Sequence, residues 1–176
     1  GARACRETRM LIKIIFAVAI IILNSPSSQA EEKPALISFK VMTLETAQKL
    51  AQATLDDCRK KGYQVAVSVV DRFGNLQVTL RDRFAGGHTP ETARRKAWTA
   101  VSFRSDTLTL SEETKAGTAA SGVRLIQDVL MIGGGVPVES GGSVVGAIGV
   151  SGAPGGVRDD ECARVGIESI ADLLEF

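Results

Sequence analysis

A chain of 176 residues that is 44% hydrophobic is long enough for one domain with a sizeable core, and too short for two. Four basic residues and one acidic residue fall in residues 1–30, so the rest of the chain holds 17 basic and 19 acidic side chains. This balance argues against a nucleic-acid partner, because nucleic-acid-binding domains normally carry a concentrated basic excess.

Residues 1–30 are predicted to be an N-terminal extension followed by a signal peptide. After Met10 the chain has a lysine, ten consecutive apolar residues over 14–23 and a polar stretch whose small residues predict cleavage after Ala30. A membrane anchor is the alternative, but a bilayer span needs about 20 apolar residues. We therefore expect no membrane span after cleavage, and a periplasmic or secreted protein.

Cleavage would leave a linker over residues 31–42, a single domain over residues 43–176, and the two cysteines Cys58 and Cys162. In an exported protein these two could form a disulfide. Cys58 also continues an apolar helical stripe, which favours the alternative that both are small apolar side chains in the core.

The first element after the linker is predicted to be an amphipathic helix. Thr43 can cap it through the side-chain hydroxyl, and Glu45 suits the positive end of the helix dipole. The apolar stripe reaches Cys58, and Gly62 ends the helix. From Tyr63 the apolar period becomes two on both sides of the turn sequence "DRFGN", which predicts a β-hairpin.

Helical signals return at Thr89-Pro90-Glu91, where a capping threonine precedes a proline at the first helical position. We expect this helix to continue to about Arg104. Residues 121–132 are ambiguous, and we expect a turn of helix that leads into an edge strand. Arg158-Asp159-Asp160-Glu161 is predicted to open a last helix, since acidic residues favour a helix N-terminus.

Ten of the chain's 18 glycines fall in residues 133–156. They do not form a phosphate loop, because that loop needs a Gly-Lys-Ser/Thr ending and no lysine follows Lys115. They do not match the Gly-x-Gly-x-x-Gly dinucleotide fingerprint either. The remaining interpretation is a second β-hairpin, whose turn is formed by Gly141-Gly142. Glycines inside its second strand would leave room for a close neighbour, either a packed helix or a ligand.

This order of elements predicts an α/β (α+β) fold. The two hairpins imply a central antiparallel sheet of about five strands, and the helices would flank it as a single-domain α-β-α sandwich.

Three segments of the chain resemble the GlcG/HbpS-type haem-binding family. Their most specific parts are "VVDRFGNL", "RKAWTAVSF" and the glycine segment that ends in "DDECA". The resemblance covers nearly all of residues 43–170 and extends to the C-terminal domain of PduO-type corrinoid adenosyltransferases. It implies a sheet between helices, a higher homo-oligomer, and haem binding in some members with haem breakdown in a few. A fold shared this widely is a weak warrant for any one activity.

His88 is the only histidine and the candidate metal ligand for a haem iron. Noncovalent haem binding needs an axial ligand, an apolar slot and cations for the propionates. The two glycines before His88 would let the backbone approach a flat ligand. The alternative is that His88 is a structural loop residue or a capping group for the following helix.

The helix after His88 supplies the other candidate cofactor-binding residues. Lys96, which lies in the part that resembles the family, is the preferred cation, and Arg95 is a further candidate. A solvated helix face is the alternative for both. Trp98 could line an apolar slot, although such residues more often belong to a core or a subunit interface. Helix capping explains Asp159 and Asp160 without catalysis.

These observations lead to one main functional hypothesis. We expect an exported homo-oligomer that binds haem for scavenging, storage or sensing. The alternatives are an enzyme that degrades haem or turns over a small metabolite, and a non-catalytic binder of a corrinoid or small carboxylate. The sequence does not choose among them and identifies no catalytic residue.

Overall fold

The computed structural model describes residues 34–175. Phe39 begins a compact unit that contains all the helices and strands given below. The predicted signal peptide lies outside the described residues. No helix within residues 34–175 is both long enough and apolar enough to cross a membrane.

The elements follow the predicted order, with one exception. The helices are α1 (Leu44–Lys60), α2 (Thr89–Phe103), α3 (Thr107–Glu113), α4 (Gly156–Glu168) and α5 (Ala171–Leu174). The strands are β1 (Ala66–Asp71), β2 (Leu76–Arg81), β3 (Gly135–Ser140) and β4 (Ser143–Ser151). The exception lies in residues 121–132. The expected turn of helix is present as a 3-10 helix, Ser121–Leu125, but an irregular segment follows it in place of the expected edge strand.

The sheet is antiparallel with strand order β2-β1-β4-β3, so four strands replace the predicted five or so. Strand β3 occupies the edge that residues 121–132 would have taken. Residues 124–127 of that segment are all exposed, and Leu125 is 90% exposed, so this part lacks the half-buried pattern of a strand. Val129 and Met131 are buried between less buried neighbours, but they pair with no strand of the described sheet.

Helices cover both faces of the sheet, which confirms the predicted sandwich. On one face, α1 and α4 pack over a cluster that includes Leu50, Val67 and Ile148. On the other face, α2 packs over Val70 and Ala147.

Helix α2 lies very close to the sheet because β3 and β4 each present a glycine to it. A Cβ at Gly149 would lie only 2.0 Å from the carbonyl oxygen of Ala93, and one at Gly135 only 2.3 Å from that of Lys96. The close neighbour of these two glycines is therefore a packed helix.

A disulfide joins α1 to α4 through Cys58 and Cys162, both fully buried. The favoured expectation of two unpaired core cysteines was therefore wrong. Cys58 does lie on the core-facing stripe, as predicted. Because α4 presents Cys162 from the facing stripe, the two Cα atoms lie 5.6 Å apart, within the usual range for a disulfide.

Candidate ligand-binding groove

A groove of about 760 Å³ opens at one end of the sheet. At this end β1 and β3 begin and β2 and β4 finish, as the pairing of Ala66 with both Arg81 and Ser151 shows. The loops that flank these strand ends therefore meet here. They supply residues 62–64, Phe84, Gly86, His88, Leu130, Ile132 and residues 152–155. The first half of α2, Ser151 at the end of β4, and Gly156 and Asp159 at the start of α4 complete the lining.

The rim of the groove is apolar and open to solvent. Phe84 is 79% exposed and Ile132 is 47% exposed, and both line the groove with Leu130 and Pro154. Exposed apolar side chains of this size in a concave site are typical of ligand-binding grooves.

His88 lies on this rim at the N-cap of α2. Its side chain makes no capping hydrogen bond, and no hydrogen bond joins its ring to any residue within 34–175. The ring packs over the backbone of Gly86, where a Cβ would lie 2.8 Å from Cε1 and 2.9 Å from Nδ1. The glycine therefore makes the space that the imidazole occupies, and capping does not explain the histidine.

Arg95 also lines the groove, and two backbone carbonyls fix its guanidinium. Nε donates to the carbonyl of Asp128 at 3.2 Å and Nη2 to that of Val129 at 2.8 Å. In the described part of the chain, Arg95 forms no salt bridge with a carboxylate, unlike its neighbour Arg94. The positive charge of Arg95 is thus held in place without being neutralised.

Lys96 forms part of the groove floor and is only 2% exposed. Its Nζ lies 2.7 Å from Oδ2 of Asp159, which is 5% exposed, and donates to the carbonyl oxygen of Val150 at 2.9 Å. Asp159 is fixed in turn, because its Oδ1 accepts from the N–H of Ala153 at 2.9 Å. The pair therefore connects α2, the end of β4 and the start of α4.

Burial disfavours the charged forms of both Lys96 and Asp159. It lowers the pKa of Lys96, although Asp159 beside it acts in the opposite direction. Burial likewise raises the pKa of Asp159, and Lys96 offsets part of that rise. Burial thus moves the pKa values of Lys96 and Asp159 toward each other, and the direct contact between the two side chains opposes both shifts.

Three of the four predicted site residues line one groove: His88, Arg95 and Lys96. Trp98 is not among the lining residues and packs instead beside Leu110 and Met131. Its indole also covers Gly74, where a Cβ would lie 2.8 Å from Cδ1.

Asp159 and Phe84 are among the lining residues that were not predicted. Asp159 was attributed to helix capping, because nothing in the sequence pairs it with a lysine 63 positions earlier. Phe84 could have been suspected, since it lies in the loop that ends at His88. The described residues contain no cluster of three or more His, Cys, Asp or Glu side chains that could hold a metal ion.

Comparison with known proteins identifies the class to which this fold and groove belong. The family model described as "Haem degrading protein HbpS-like" matches residues 42–168, most of the chain. The chain belongs to this HbpS-like family.

Individual relatives support membership of this family. The chain is similar to the crystal structure of HbpS, with 40% identity and a TM-score of 0.73 over 77% of this chain and 94% of that one. It is similar to a crystal structure of a PduOC–haem complex, with 30% identity and a TM-score of 0.70 over 74% and 95% of the two chains. The corrinoid adenosyltransferase PduO of Salmonella typhimurium is 32% identical over 82% of this chain, which spans only 42% of that enzyme.

Proposed function

We propose that the chain binds haem in the groove beside His88. The observation that carries the proposal is an imidazole without a hydrogen-bond partner among residues 34–175, held at an apolar rim in a chain that is similar to the haem-bound PduOC structure. Bound haem would supply an iron with a position for an axial ligand and the capacity for one-electron redox chemistry.

The residues of the groove fit such a ligand. Its volume of about 760 Å³ falls within the roughly 300–1,000 Å³ of cofactor sites. Gly86 holds the His88 ring at the rim, Phe84 and Ile132 offer apolar contact, and Arg95 offers a positive charge for a propionate. Lys96, the cation preferred from the sequence, is buried against Asp159, so Arg95 suits the propionate better.

Hemin titration of the protein tests this proposal. We expect a Soret band, and we expect His88→Ala to shift its maximum or to weaken hemin affinity at least tenfold, about 1.4 kcal/mol. Phe84→Ala should weaken affinity while leaving the Soret maximum in place, because Phe84 cannot ligate iron.

Phe73→Ala is the matched control for nonspecific adsorption of hemin to aromatic surfaces. Phe73 is 63% exposed and lies in the turn between β1 and β2, at the other end of the sheet. Its loss should change neither spectrum nor affinity. If His88→Ala behaves like Phe73→Ala, His88 is not part of the haem site.

Haem degradation is the second candidate, and the description of the matching family favours it. The same titration distinguishes the two functions when ascorbate is added. A binding protein keeps its Soret band, whereas a degrading enzyme loses it as a ring-opened product appears.

We further propose that the protein acts outside the cytoplasm, in haem scavenging, storage or sensing. The support is the signal-peptide pattern that ends at Ala30. Exported protein should begin at Glu31 by N-terminal sequencing, and exported protein that retains residues 14–23 would contradict this.

A further inference from the structure

The buried pair of Lys96 and Asp159 has no part in the proposed binding of haem. Lys96 is the largest fully buried side chain of the described residues, and both members of the pair line the groove. A primary amine thus lies at the floor of a cleft, with a carboxylate 2.7 Å from it.

Stability alone is a weak reason for such a pair. Removing two charges from water costs several kcal/mol per ion, and apolar replacements of a buried ion pair are often neutral or stabilising. Buried ionisable groups that face a cleft and perturb each other are more typical of reactive sites. A desolvated lysine is also the usual amine for carbonyl chemistry.

The immediate surroundings fix the Lys96 ammonium in place. Of the three hydrogens of the Lys96 ammonium, one is directed to Asp159 and one to the carbonyl oxygen of Val150. Among the described residues, no acceptor forms a hydrogen bond with the third hydrogen of the ammonium. Gly134 lets the chain pass close against the pair, since a Cβ there would lie 2.6 Å from Cβ of Asp159 and 3.1 Å from Nζ of Lys96.

We propose that Lys96 forms a reversible imine with a small aldehyde that enters the groove, and that Asp159 accepts and returns the proton. The aldehyde must be small, because only 2% of Lys96 is exposed. The proposal does not depend on haem, and its test uses the haem-free protein.

The step balances without an oxidant or a reductant. The ammonium gives one proton to Oδ2 of Asp159, and the neutral amine attacks the carbonyl carbon to form a carbon–nitrogen bond. A second proton passes from nitrogen to the former carbonyl oxygen. Asp159 then returns its proton to that hydroxyl, which departs as water. The product is a protonated imine on Lys96 beside a carboxylate, so the charge pair is restored.

Reductive trapping tests the proposal. The haem-free protein is incubated near neutral pH with acetaldehyde and cyanoborohydride, which fixes an imine as an ethyl group, and peptides are mapped by mass spectrometry. We expect Lys96 to be ethylated at least ten times faster than the exposed Lys49 in the same sample. In urea-unfolded protein the two rates should become equal.

Two comparisons sharpen the result. Lys96→Arg keeps a positive charge beside Asp159 but cannot form an imine, so it should lose only the fast ethyl group. Benzaldehyde should label Lys96 more slowly than acetaldehyde, relative to Lys49, because the amine is buried. Labelling of Lys96 no faster than that of Lys49 in folded wild-type protein would overturn the proposal, whatever the variant does. The Soret titration is separate, so failure of either idea leaves the other standing.

Discussion

Gly149 determines how closely α2 can approach the sheet. A Cβ there would lie 2.0 Å from the carbonyl oxygen of Ala93 and 2.7 Å from the amide nitrogen of Ala97, both backbone atoms of α2. Neither can move without shifting the helix. Since α2 also carries Arg95 and Lys96, this contact positions the groove as well as the core.

We predict that Gly149→Ala lowers the free energy of unfolding by about 2 kcal/mol or more, because overpacking against backbone costs roughly 1–3 kcal/mol and sometimes exceeds that. Urea denaturation measures the change. Gly122→Ala is the control, since a Cβ at Gly122 meets nothing within 4 Å. It should alter stability by no more than about 0.5 kcal/mol. Equal stability of the two variants would contradict the prediction.

Single residues were predictable from the sequence where the signal is local. The Thr43 side chain accepts from the N–H of Thr46 at 3.2 Å, which confirms the predicted cap. The predicted cap of α2 was wrong by one residue, because His88 is the N-cap and the Thr89 hydroxyl donates to the carbonyl of Gly86 instead of capping the helix. Asp159 was missed because its partner, Lys96, comes from a distant element. A contact of this kind follows from tertiary packing, which no pattern along the chain records.

The helices and strands show the same contrast between local signals, which the sequence records, and tertiary contacts, which it does not. Residues 76–81 and 143–151 showed their strand character through alternation and turn residues. The pairing of Cys58 with Cys162 instead depends on α1 facing α4, which neither helix reveals by itself. Residues 121–132 were ambiguous in the sequence. The expected turn of helix forms, the expected strand after it does not, and Leu125 and Ile126 are exposed.

We predict that the disulfide contributes strongly to stability, because it joins residues 104 positions apart and so restricts the unfolded chain. The double variant Cys58→Ala/Cys162→Ala should unfold with about 2–5 kcal/mol less free energy, measured by denaturation under non-reducing conditions. Reduced and unfolded wild-type protein should gain the mass of two hydrogen atoms. No mass change on reduction would show that the two cysteines are unpaired.

At the scale of the whole molecule, we predict assembly into a homo-oligomer. Large apolar side chains stand exposed on the described part of the chain, among them Leu125 at 90% and Phe73 at 63%. Contact between copies would remove such surface from water. Light scattering should give a multiple of the mass of the chain at micromolar concentration. A single-chain mass under those conditions would refute the prediction.

The position of the groove also bears on how such proteins diverge. Much of its lining comes from loops at one end of the sheet, while the glycine contacts and the disulfide that maintain the sandwich lie in strands and helices. Substitutions at Phe84, Ile132 or Pro154 can therefore reshape the site without disturbing the core. A single scaffold of this kind can acquire new ligands through changes at its loops, so related chains can share a fold while differing in what they bind.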